Sequence, residues 1–440
     1  MSIKLLEGDS LDILPTLADQ SIDAIVCDPP YGLSDHSLDD VVACLTAWLA
    51  GEPYLPNKKG FMSHAWDAWV PGPEVWRECL RVLKPGGHML VFAGTRSLDL
   101  MTMAIRLAGF EVRDQLCWLN SQGMPHGLDI SKAIDKAAGA NRKVVGTKVN
   151  TYDGCTRDPS KHGNPAAQSH IGKWGLTKTP HGMPLTEPAT EEAAEWQGWN
   201  SHLKPVVEPV MLVRKPLDGT IVENVLAHGC GGINVDACRI PVDLAVDDPR
   251  LGGQGSWSTA SMAKNVYGEF AGTRHGSSTL GRFPTNVLWD GSDEVREVFD
   301  SFGEKASGVP GKRRKSHETV GMGHLGMLDR EEVGYADRGS VSRFYKACEY
   351  TEEERRIFYC GKVSPKQRGN SQHPTMKPIS LIRYLCRLIC PVGGIVLDPF
   401  AGTGTTGLAA IEEGFSAVLI EREEAYIKDC RDRLGFFLTP

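Results

Sequence analysis

The chain lacks long apolar runs and has no excess of positive charge, and both absences limit its function. Among its 440 residues, no apolar stretch reaches the roughly 18 residues that a membrane-spanning helix needs. No signal peptide opens the sequence, so we expect a cytoplasmic protein without a targeting extension. The formal net charge is −7, which is not typical of a nucleic-acid-binding protein. It does not exclude nucleic-acid binding, because local charged patches steer binding more than the total charge does.

The sequence also lacks any C-x-x-C pair among its 12 cysteines. Several cysteines lie in apolar segments and are typical of small core residues in a reducing compartment: Cys27, Cys79, Cys117 and Cys386. His228, Cys230 and Cys238 lie close together, but their spacing fits no standard zinc finger or ribbon. We therefore predict no metal site.

A rigid, acceptor-rich turn follows one apolar run. The run Ile22–Cys27 predicts a buried strand, and Asp28, Pro29, Pro30 and Tyr31 come directly after it. Proline fixes its own φ and has no N–H, so this backbone is extended and its carbonyls are free to accept. A carboxylate and a proline carbonyl can accept both hydrogens of an exocyclic amine, and a tyrosine can stack on the attached ring. The pattern indicates a site for adenine or cytosine; the alternative is an ordinary turn at a strand end.

A second pattern, near the other end of the chain, predicts a βαβ unit. The apolar strand Gly394–Leu397 runs into the glycine-rich stretch 398–406, and a helical segment at 407–414 follows. The second strand, Ser416–Ile420, is closed by Glu421, which lies 23 residues after the first acid of the loop. That separation is close to the roughly 20 residues expected for an acid that binds ribose hydroxyls.

The loop of this unit favours a cationic nucleoside. It is neither G-x-G-x-x-G nor a P-loop, and it begins with Asp398, which would repel a diphosphate. S-adenosylmethionine fits, with Asp398 facing its ammonium group and Glu421 its ribose. The alternative is a nicotinamide or flavin site on a similar unit, but the Asp28 turn has no use in hydride transfer.

Three motifs together resemble the β class of amino-group (N6-adenine or N4-cytosine) site-specific DNA methyltransferases. DPPY at 28–31, HPTMKP at 373–378 and DPFAGTGTT at 398–406 occur here in the order of that class. The resemblance implies that the catalytic motif is Asp28, Pro29, Pro30 and Tyr31. It implies cofactor-binding roles for these residues: Asp9, Asp398, Phe400, Gly402, Gly404, Thr405, Glu421, Thr375 and Lys377.

Strand and helix patterns alternate, which predicts an α/β fold with a doubly wound, mostly parallel sheet. The resemblance makes this a seven-stranded, Rossmann-like methyltransferase sheet in which Val206–Arg214 pairs antiparallel with Glu111–Trp118. We divide the chain into a catalytic half, an insertion, a core strand, a target-recognition region and a cofactor-binding half: 1–120, 121–203, 204–217, 218–356 and 357–440.

The two insertions are loop-rich and have weak apolar periodicity, which suits segments that order on a partner. We place target recognition mainly in 218–356, with help from 121–203; the alternative is a disordered or merely structural insertion. The densest basic run, a candidate phosphate contact or a solvated loop, is Lys312, Arg313, Arg314 and Lys315. Trp118 is either a second wall of the base pocket or a core residue.

The resemblance implies transfer of a methyl group from S-adenosylmethionine to the N6 amine of adenine in double-stranded DNA, with the base flipped into the DPPY pocket. The nearest alternative is N4-cytosine methylation. Others are methylation of protein glutamine or RNA, and a DNA-binding protein without catalysis. A bacterial or phage origin, a homodimer and a separate cognate restriction endonuclease all suit the class, although the sequence shows no interface signature.

Overall fold

A computed structural model of the protein describes residues 1–56, 58, 60, 65–120, 127–148, 183–241, 281–306, 338–349 and 376–439. The chain divides into two compact units. The first comprises residues 1–121, 207–350 and 371–440, and the second comprises 122–206 and 351–370.

The first unit is built on one mixed sheet. The strands of both units, in chain order, are β1 (Ile3–Glu7), β2 (Ile22–Cys27), β3 (Leu83–Phe92), β4 (Glu111–Leu119), β5 (Val144–Lys148), β6 (Met183–Thr186), β7 (Val207–Arg214), β8 (Val287–Trp289), β9 (Lys305–Ala306), β10 (Arg338–Gly339), β11 (Lys346–Ala347), β12 (Ile395–Asp398) and β13 (Ser416–Glu421). The order in the main sheet is β1-β13-β12-β2-β3-β7-β4-β8-β11. The predicted mostly parallel α/β sheet is confirmed.

Strand β7 is antiparallel to both of its neighbours, β3 and β4, whereas the other pairings of the main sheet are parallel. The predicted antiparallel pairing of this segment with β4 is confirmed. In the order of the sheet, the first seven strands, from β1 at one edge as far as β4, form the predicted seven-stranded sheet. The short strands β8 and β11 extend it beyond β4. These two strands come from the region 218–356, which we expected to be loop-rich.

Helices of the first unit cover both faces of its sheet. The helices of both units, in chain order, are α1 (Ser10–Ile13), α2 (Leu38–Ala50), α3 (Pro73–Val82), α4 (Leu98–Leu107), α5 (Ile130–Ala137), α6 (Glu191–Glu195), α7 (Ile221–His228), α8 (Asp293–Ser301), α9 (Ile379–Ile389), α10 (Thr405–Glu412) and α11 (Glu424–Leu434). Of these, α5 and α6 belong to the second unit. In the described part of the chain, none of these helices is both long and apolar enough to cross a membrane.

A large cluster of buried apolar residues lies on the α3 and α4 side of the sheet. Ile25 of β2 and Met89 of β3 pack in one buried cluster with Trp76 of α3 and Met101 of α4. Helix α9 contacts the same two strands, yet its residues are not in that cluster. Since successive strand residues face opposite sides, α9 covers the other face.

The turn Lys84-Pro85-Gly86-Gly87 differs in part from expectation. The helical pattern at Glu74–Leu83 and the apolar run His88–Phe92 predict a helix that ends at this turn and a strand that begins after it. Helix α3 does end just before it, but the strand already begins at Leu83. Leu83 pairs with Ile22 and His88 with Ala24, so the turn residues form an irregularity inside β3.

The second unit has a small hairpin, in which β5 and β6 pair antiparallel, and the helices α5 and α6. The buried Asp135 of α5 joins them. Its carboxylate accepts hydrogen bonds from the backbone N–H groups of Ala189 and Thr190, both at 3.0 Å, and pairs with Arg142 at 2.6 Å. A carboxylate that accepts several N–H bonds satisfies loop donors that would otherwise be buried unpaired.

Candidate active site

The two distant motifs meet at one edge of the sheet. Strands β2 and β12 are parallel neighbours, with Ala24 opposite Val396 and Ile25 opposite Leu397. Asp28 therefore leaves the sheet beside Asp398, at the ends of two adjacent parallel strands. In doubly wound sheets, ligands bind at this carboxyl edge.

Asp28 is held by two side-chain donors. The Tyr31 hydroxyl donates to its Oδ1 at 2.7 Å, and the Lys377 ammonium donates to its Oδ2 at 2.7 Å. The Lys377 side chain is only 8% exposed, whereas that of Asp28 is 25% exposed. The Asp28 carboxylate is thus partly open to a ligand and already accepts an N–H donor.

A second carboxylate, Glu208 of β7, completes this cluster. Its Oε2 lies 3.2 Å from the Tyr31 hydroxyl and 3.2 Å from the Lys377 ammonium. Its Oε1 accepts a hydrogen bond of 3.3 Å from the Asn120 amide. Two carboxylates and one ammonium leave the cluster with one net negative charge when all three are ionised.

Burial and charge fix the protonation of the cluster. Burial, followed by the Asp28 and Glu208 carboxylates, raises the pKa of Tyr31 well above its usual value, so the phenol stays protonated. Burial lowers the pKa of Lys377, but the same two carboxylates outweigh it and the net shift is upward. An opposite charge nearby favours the charged form of a lysine, so Lys377 remains an ammonium at neutral pH.

The backbone of the catalytic turn is pinned by a buried acid. The Asp67 carboxylate accepts hydrogen bonds from the backbone N–H groups of Tyr31 at 2.9 Å, Gly32 at 3.0 Å and Leu33 at 3.3 Å. Gly32 has a φ of +65°, and a Cβ there would lie 2.8 Å from a backbone nitrogen of the segment after Asp67. The Ser97 hydroxyl donates to the Tyr31 carbonyl, so this turn is fixed from both sides. Pro29 is buried and Pro30 is half-buried.

The first residue of the glycine-rich loop, Asp398, forms hydrogen bonds with later residues of the same loop. Asp398, 3% exposed, accepts hydrogen bonds from the Phe400 backbone N–H at 3.0 Å and from the Thr406 hydroxyl at 2.6 Å. Burial raises its pKa from 3.8 to about 7, against the lowering effect of these two bonds. The Phe400 ring packs near Trp76, with ring centroids 6.0 Å apart.

The loop glycines take conformations that side chains disfavour. Gly402 has a φ of +52° and Gly404 a φ of +76°, in the left-handed region that glycine adopts without strain. A Cβ on Gly404 would lie 2.9 Å from Leu434 and 3.1 Å from Cys430, so α11 packs directly on the loop. Thr405, the first residue of α10, accepts a hydrogen bond of 3.1 Å from the guanidinium of Arg433, also in α11.

Glu421, at the end of β13, is held by backbone donors. It accepts hydrogen bonds from the N–H groups of Gly402 at 2.8 Å, Arg422 at 2.9 Å and Glu423 at 2.8 Å. Burial raises its pKa against these three bonds. Asp9 follows β1, the strand beside β13, and caps α1 through a 3.0 Å bond from the Leu11 N–H.

The three carboxylates on the cofactor side of the sheet edge fit S-adenosylmethionine. Asp9, Glu421 and Asp398 lie at the carboxyl ends of three adjacent parallel strands, β1, β13 and β12. Carboxylates in this arrangement suit ribose hydroxyls and a cationic amino group. Gly402 and Gly404 leave the intervening backbone without side chains.

Some predicted residues lie elsewhere. Lys377, assigned by resemblance to the cofactor, contacts the Asp28 cluster. Trp118 is fully buried in β4, where it pairs with Glu208 in the antiparallel register, so it presents no surface to a base in this structure. Five predicted residues lie outside the described residues: Thr375, Lys312, Arg313, Arg314 and Lys315.

Sequence reasoning missed Glu208, Asp67 and Asn120. Glu208 carried a usable signal, because it is the single acid in the otherwise apolar strand VEPVMLVR and acids are rarely placed on a buried strand without a partner. Asp67 and Asn120 stand in segments without periodicity, so nothing local distinguished them.

The histidine–cysteine group near residue 230 is dispersed among other partners. His228 lies 3.2 Å from Asp218, and the Cys230 thiol lies 3.2 Å from the Pro85 carbonyl. Cys238 is buried. The described residues include no group of three or more histidine, cysteine, aspartate or glutamate side chains that could hold a metal ion.

Comparison with known proteins gives the family. The family model of DNA methylases matches residues 22–136 and 307–432, which is more than half of the chain. YubD of Escherichia coli (strain K12), named as a methylase, is 41% identical over 70 residues, 16% of this chain and 31% of its own length. The type II methyltransferase M.HinfI of Haemophilus influenzae is 36% identical over 88 residues, 19% of this chain and 24% of its own length.

Both relatives are therefore matched over less than a third of their length. Among solved structures, the PvuII DNA methyltransferase, described as cytosine-N4-specific, is similar with a TM-score of 0.40 and 12% identity, covering 98% of this chain and 86% of that one. The family match carries the assignment: the chain belongs to the DNA methylases, the family of amino-group methyltransferases that use S-adenosylmethionine.

Proposed function

We propose that this protein transfers a methyl group from S-adenosylmethionine to the exocyclic N6 amine of adenine in double-stranded DNA. The observation that carries the proposal is the position of Asp28 beside Asp398 at one sheet edge. Because the amine-binding turn and the cofactor loop lie at neighbouring strand ends, a bound methyl donor and a target amine could be held together, and such proximity supplies a large part of a bimolecular acceleration.

The catalytic turn suits an amine. The Asp28 carboxylate would accept one N–H of the target, and the Pro29 carbonyl the other. The Lys377 ammonium donates to Asp28 at 2.7 Å. This contact supports the binding of an amine by Asp28, because it shows the same carboxylate accepting an N–H donor. Both hydrogen bonds would localise the lone pair of the adenine amine on nitrogen, where it is otherwise delocalised into the ring.

Asp28 acts mainly through charge in this mechanism. Bound S-adenosylmethionine would supply an electrophilic methyl group; Asp398 would hold its ammonium, Glu421 its ribose hydroxyls and Asp9 would lie near its adenine. As nitrogen attacks, positive charge builds on the amine, and Asp28 stabilises it without first removing a proton. Such preorganised electrostatic stabilisation is often the largest single contribution to catalysis. The proton is lost during or after transfer.

The target base must leave the duplex to reach this pocket. Flipping costs a few kcal/mol in lost pairing and stacking, and stacking on the Tyr31 ring would return about 1–3 kcal/mol. Target recognition would fall in 218–356, with help from 121–203 and phosphate contacts from the basic run 312–315. We also propose, from the class that the sequence resembles, that the protein forms a homodimer and that a separate cognate restriction endonuclease exists.

We propose adenine rather than cytosine as the target because, in the class that the sequence resembles, aspartate at the first position of this motif is more typical of enzymes that methylate adenine. The runner-up is N4-cytosine methylation, which the same amine cradle serves. The test is to methylate DNA with the purified protein, digest it and identify the modified nucleoside by mass spectrometry. N6-methyl-2′-deoxyadenosine is expected; N4-methyl-2′-deoxycytidine would establish the runner-up, and no modified nucleoside from any DNA would refute both.

A further inference from the structure

Glu208 is the carboxylate that the proposed chemistry does not yet use. It stands at the start of β7, the antiparallel strand inserted between β3 and β4, so only the sheet topology brings it to the site. Its side chain is 28% exposed, and its Oε2 contacts both partners of Asp28, the Tyr31 hydroxyl and the Lys377 ammonium. It makes no direct bond to Asp28.

The contacts of Lys377 create a competition for Asp28. In the free protein, Lys377 donates to Asp28 Oδ2 at 2.7 Å, on the carboxylate that the target amine needs. Its positive charge also offsets the negative charge that stabilises the developing ammonium. Efficient transfer requires that Lys377 withdraw from Asp28 without leaving a buried, unpaired ammonium, since an uncompensated buried charge is strongly destabilising.

Glu208 already stands where Lys377 can go. Its Oε2 lies 3.2 Å from the Lys377 nitrogen, so a small shift of the ammonium exchanges one carboxylate for the other. Asn120 donates to the other oxygen of Glu208 at 3.3 Å and orients the carboxylate. We propose that Glu208 is a positioning residue for methyl transfer, which takes over the Lys377 ammonium and leaves Asp28 negative for the target amine.

This inference rests on the proposed methyl transfer, and it predicts a specific effect of Glu208→Gln. The amide keeps the shape of the side chain but cannot hold the ammonium, so Lys377 stays on Asp28. The single-turnover rate of methyl transfer should fall 10- to 100-fold, whereas the Kd for S-adenosylmethionine should stay within twofold. Glu208→Asp should recover part of the rate.

Glu111→Gln is the matched control. Glu111 is also a glutamate of the same sheet with a cationic partner, because it pairs with Arg214 at 2.6 Å, but it is the first residue of β4 and lies opposite the end of β7 that is far from Glu208. Its substitution removes a carboxylate from the contacts with Arg214 and Arg113 and should leave the rate within twofold of wild type. Equal rates for both variants would overturn the inference.

A double-mutant cycle adds a second test. In a Lys377→Met background there is no ammonium to move, so Glu208→Gln should cost less than threefold. An undiminished cost would mean that Glu208 acts through the sheet rather than through Lys377. If the wild-type protein transfers no methyl group to DNA, the proposed function fails and this inference with it; if the wild type transfers and Glu208→Gln matches it, only this inference fails.

Discussion

The cofactor loop and the catalytic cluster lie at neighbouring strand ends but are built in different ways. Asp398 is held by Phe400 and Thr406, and Gly402 bonds to Glu421, so these two acids take donors from the βαβ unit itself, whereas Arg433 of α11 donates to the loop from outside it. Asp28, by contrast, is held through Lys377, which lies 349 positions away in sequence, and Tyr31 contacts Glu208, 177 positions away. Asp398 and Glu421 are thus held by residues near them in sequence, whereas the catalytic cluster forms only in the folded sheet.

The two regions also differ in how their carboxylates are stabilised. Asp398 and Glu421 are buried and accept hydrogen bonds mainly from the backbone, and burial raises the pKa of each. Asp28 and Glu208 instead share one ammonium, that of Lys377. Backbone and hydroxyl donors thus hold Asp398 and Glu421, whereas one cation contacts both Asp28 and Glu208.

The largest expected effect is on the catalytic side alone. We expect Asp28→Ala to lower the rate of methyl transfer by at least about 100-fold, the scale observed when a preorganised stabilising group is lost. Cofactor affinity should stay within threefold, because the loop acids keep their own partners. A radiolabelled-methyl assay and calorimetry with S-adenosylmethionine measure the two quantities.

The control for that substitution is Asp35→Ala, an exposed aspartate shortly after the same turn, which should leave both quantities unchanged. Transfer by Asp28→Ala within tenfold of wild type would refute the role of Asp28. A parallel loss of cofactor affinity would instead mean that the two regions are not independent.

The next effect tests how the catalytic turn is held. Asp67→Ala leaves one buried and two part-buried N–H groups without their acceptor, and an unsatisfied buried donor costs about 1–3 kcal/mol. We expect the rate of transfer to fall roughly 30-fold through misplacement of Tyr31, with cofactor affinity unchanged. Should transfer and cofactor affinity fall together, Asp67 would be a general stability residue.

A smaller effect, of about 2 kcal/mol, is expected in the cofactor loop. Gly404→Ala places a side chain at a φ of +76° and against Leu434. Gly414→Ala has the same backbone problem at a φ of +85°, but nothing lies within 4 Å of the added Cβ. The left-handed conformation costs roughly 1–2 kcal/mol for a non-glycine residue, so the difference between the variants isolates the packing of α11.

Urea unfolding measures this difference. Gly404→Ala should be destabilised more than Gly414→Ala and should also bind S-adenosylmethionine more weakly. Equal destabilisation of the two variants would show that α11 yields to the added methyl group and does not fix the loop.

The smallest effect is a pH dependence confined to the cofactor side. Because the pKa of Asp398 is about 7 in the folded protein, lowering the pH from 8 to 6 protonates it and weakens its attraction for a cationic ligand. We expect a fall in cofactor affinity of up to about tenfold, which Asp398→Asn abolishes. A pH dependence that survives in Asp398→Asn would assign it to another group, such as Glu421.

The stability of the free protein should change in the opposite sense. The carboxyl of Asp398 holds its proton more tightly when folded, with a pKa of about 7, than when unfolded, with a usual value of 3.8. Its contribution to the free energy of unfolding is therefore most favourable below pH 4 and decreases as the pH rises to 7. Asp398→Asn should remove this part of the slope in a chemical unfolding series.

Strand positions were largely predictable, because apolar runs and turn residues are local signals. The strand Ile22–Cys27 has the predicted bounds, and β7 begins one residue later than predicted. The bulge at Lys84–Gly87 and the two short strands β8 and β11 were not predictable, since they depend on pairing with strands that are distant in sequence. Strand pairing stabilises such segments only after the entropy cost of closing long loops has been met.

The sequence by itself determined the cofactor loop, its acids and the DPPY turn, because each of these is a local pattern of residue types. Only the tertiary structure decided that Lys377 contacts both Asp28 and Glu208, and that Trp118 is buried. The reason is physical: folding brings residues that are hundreds of positions apart in sequence within hydrogen-bonding distance, and no local propensity records which side chains will meet there.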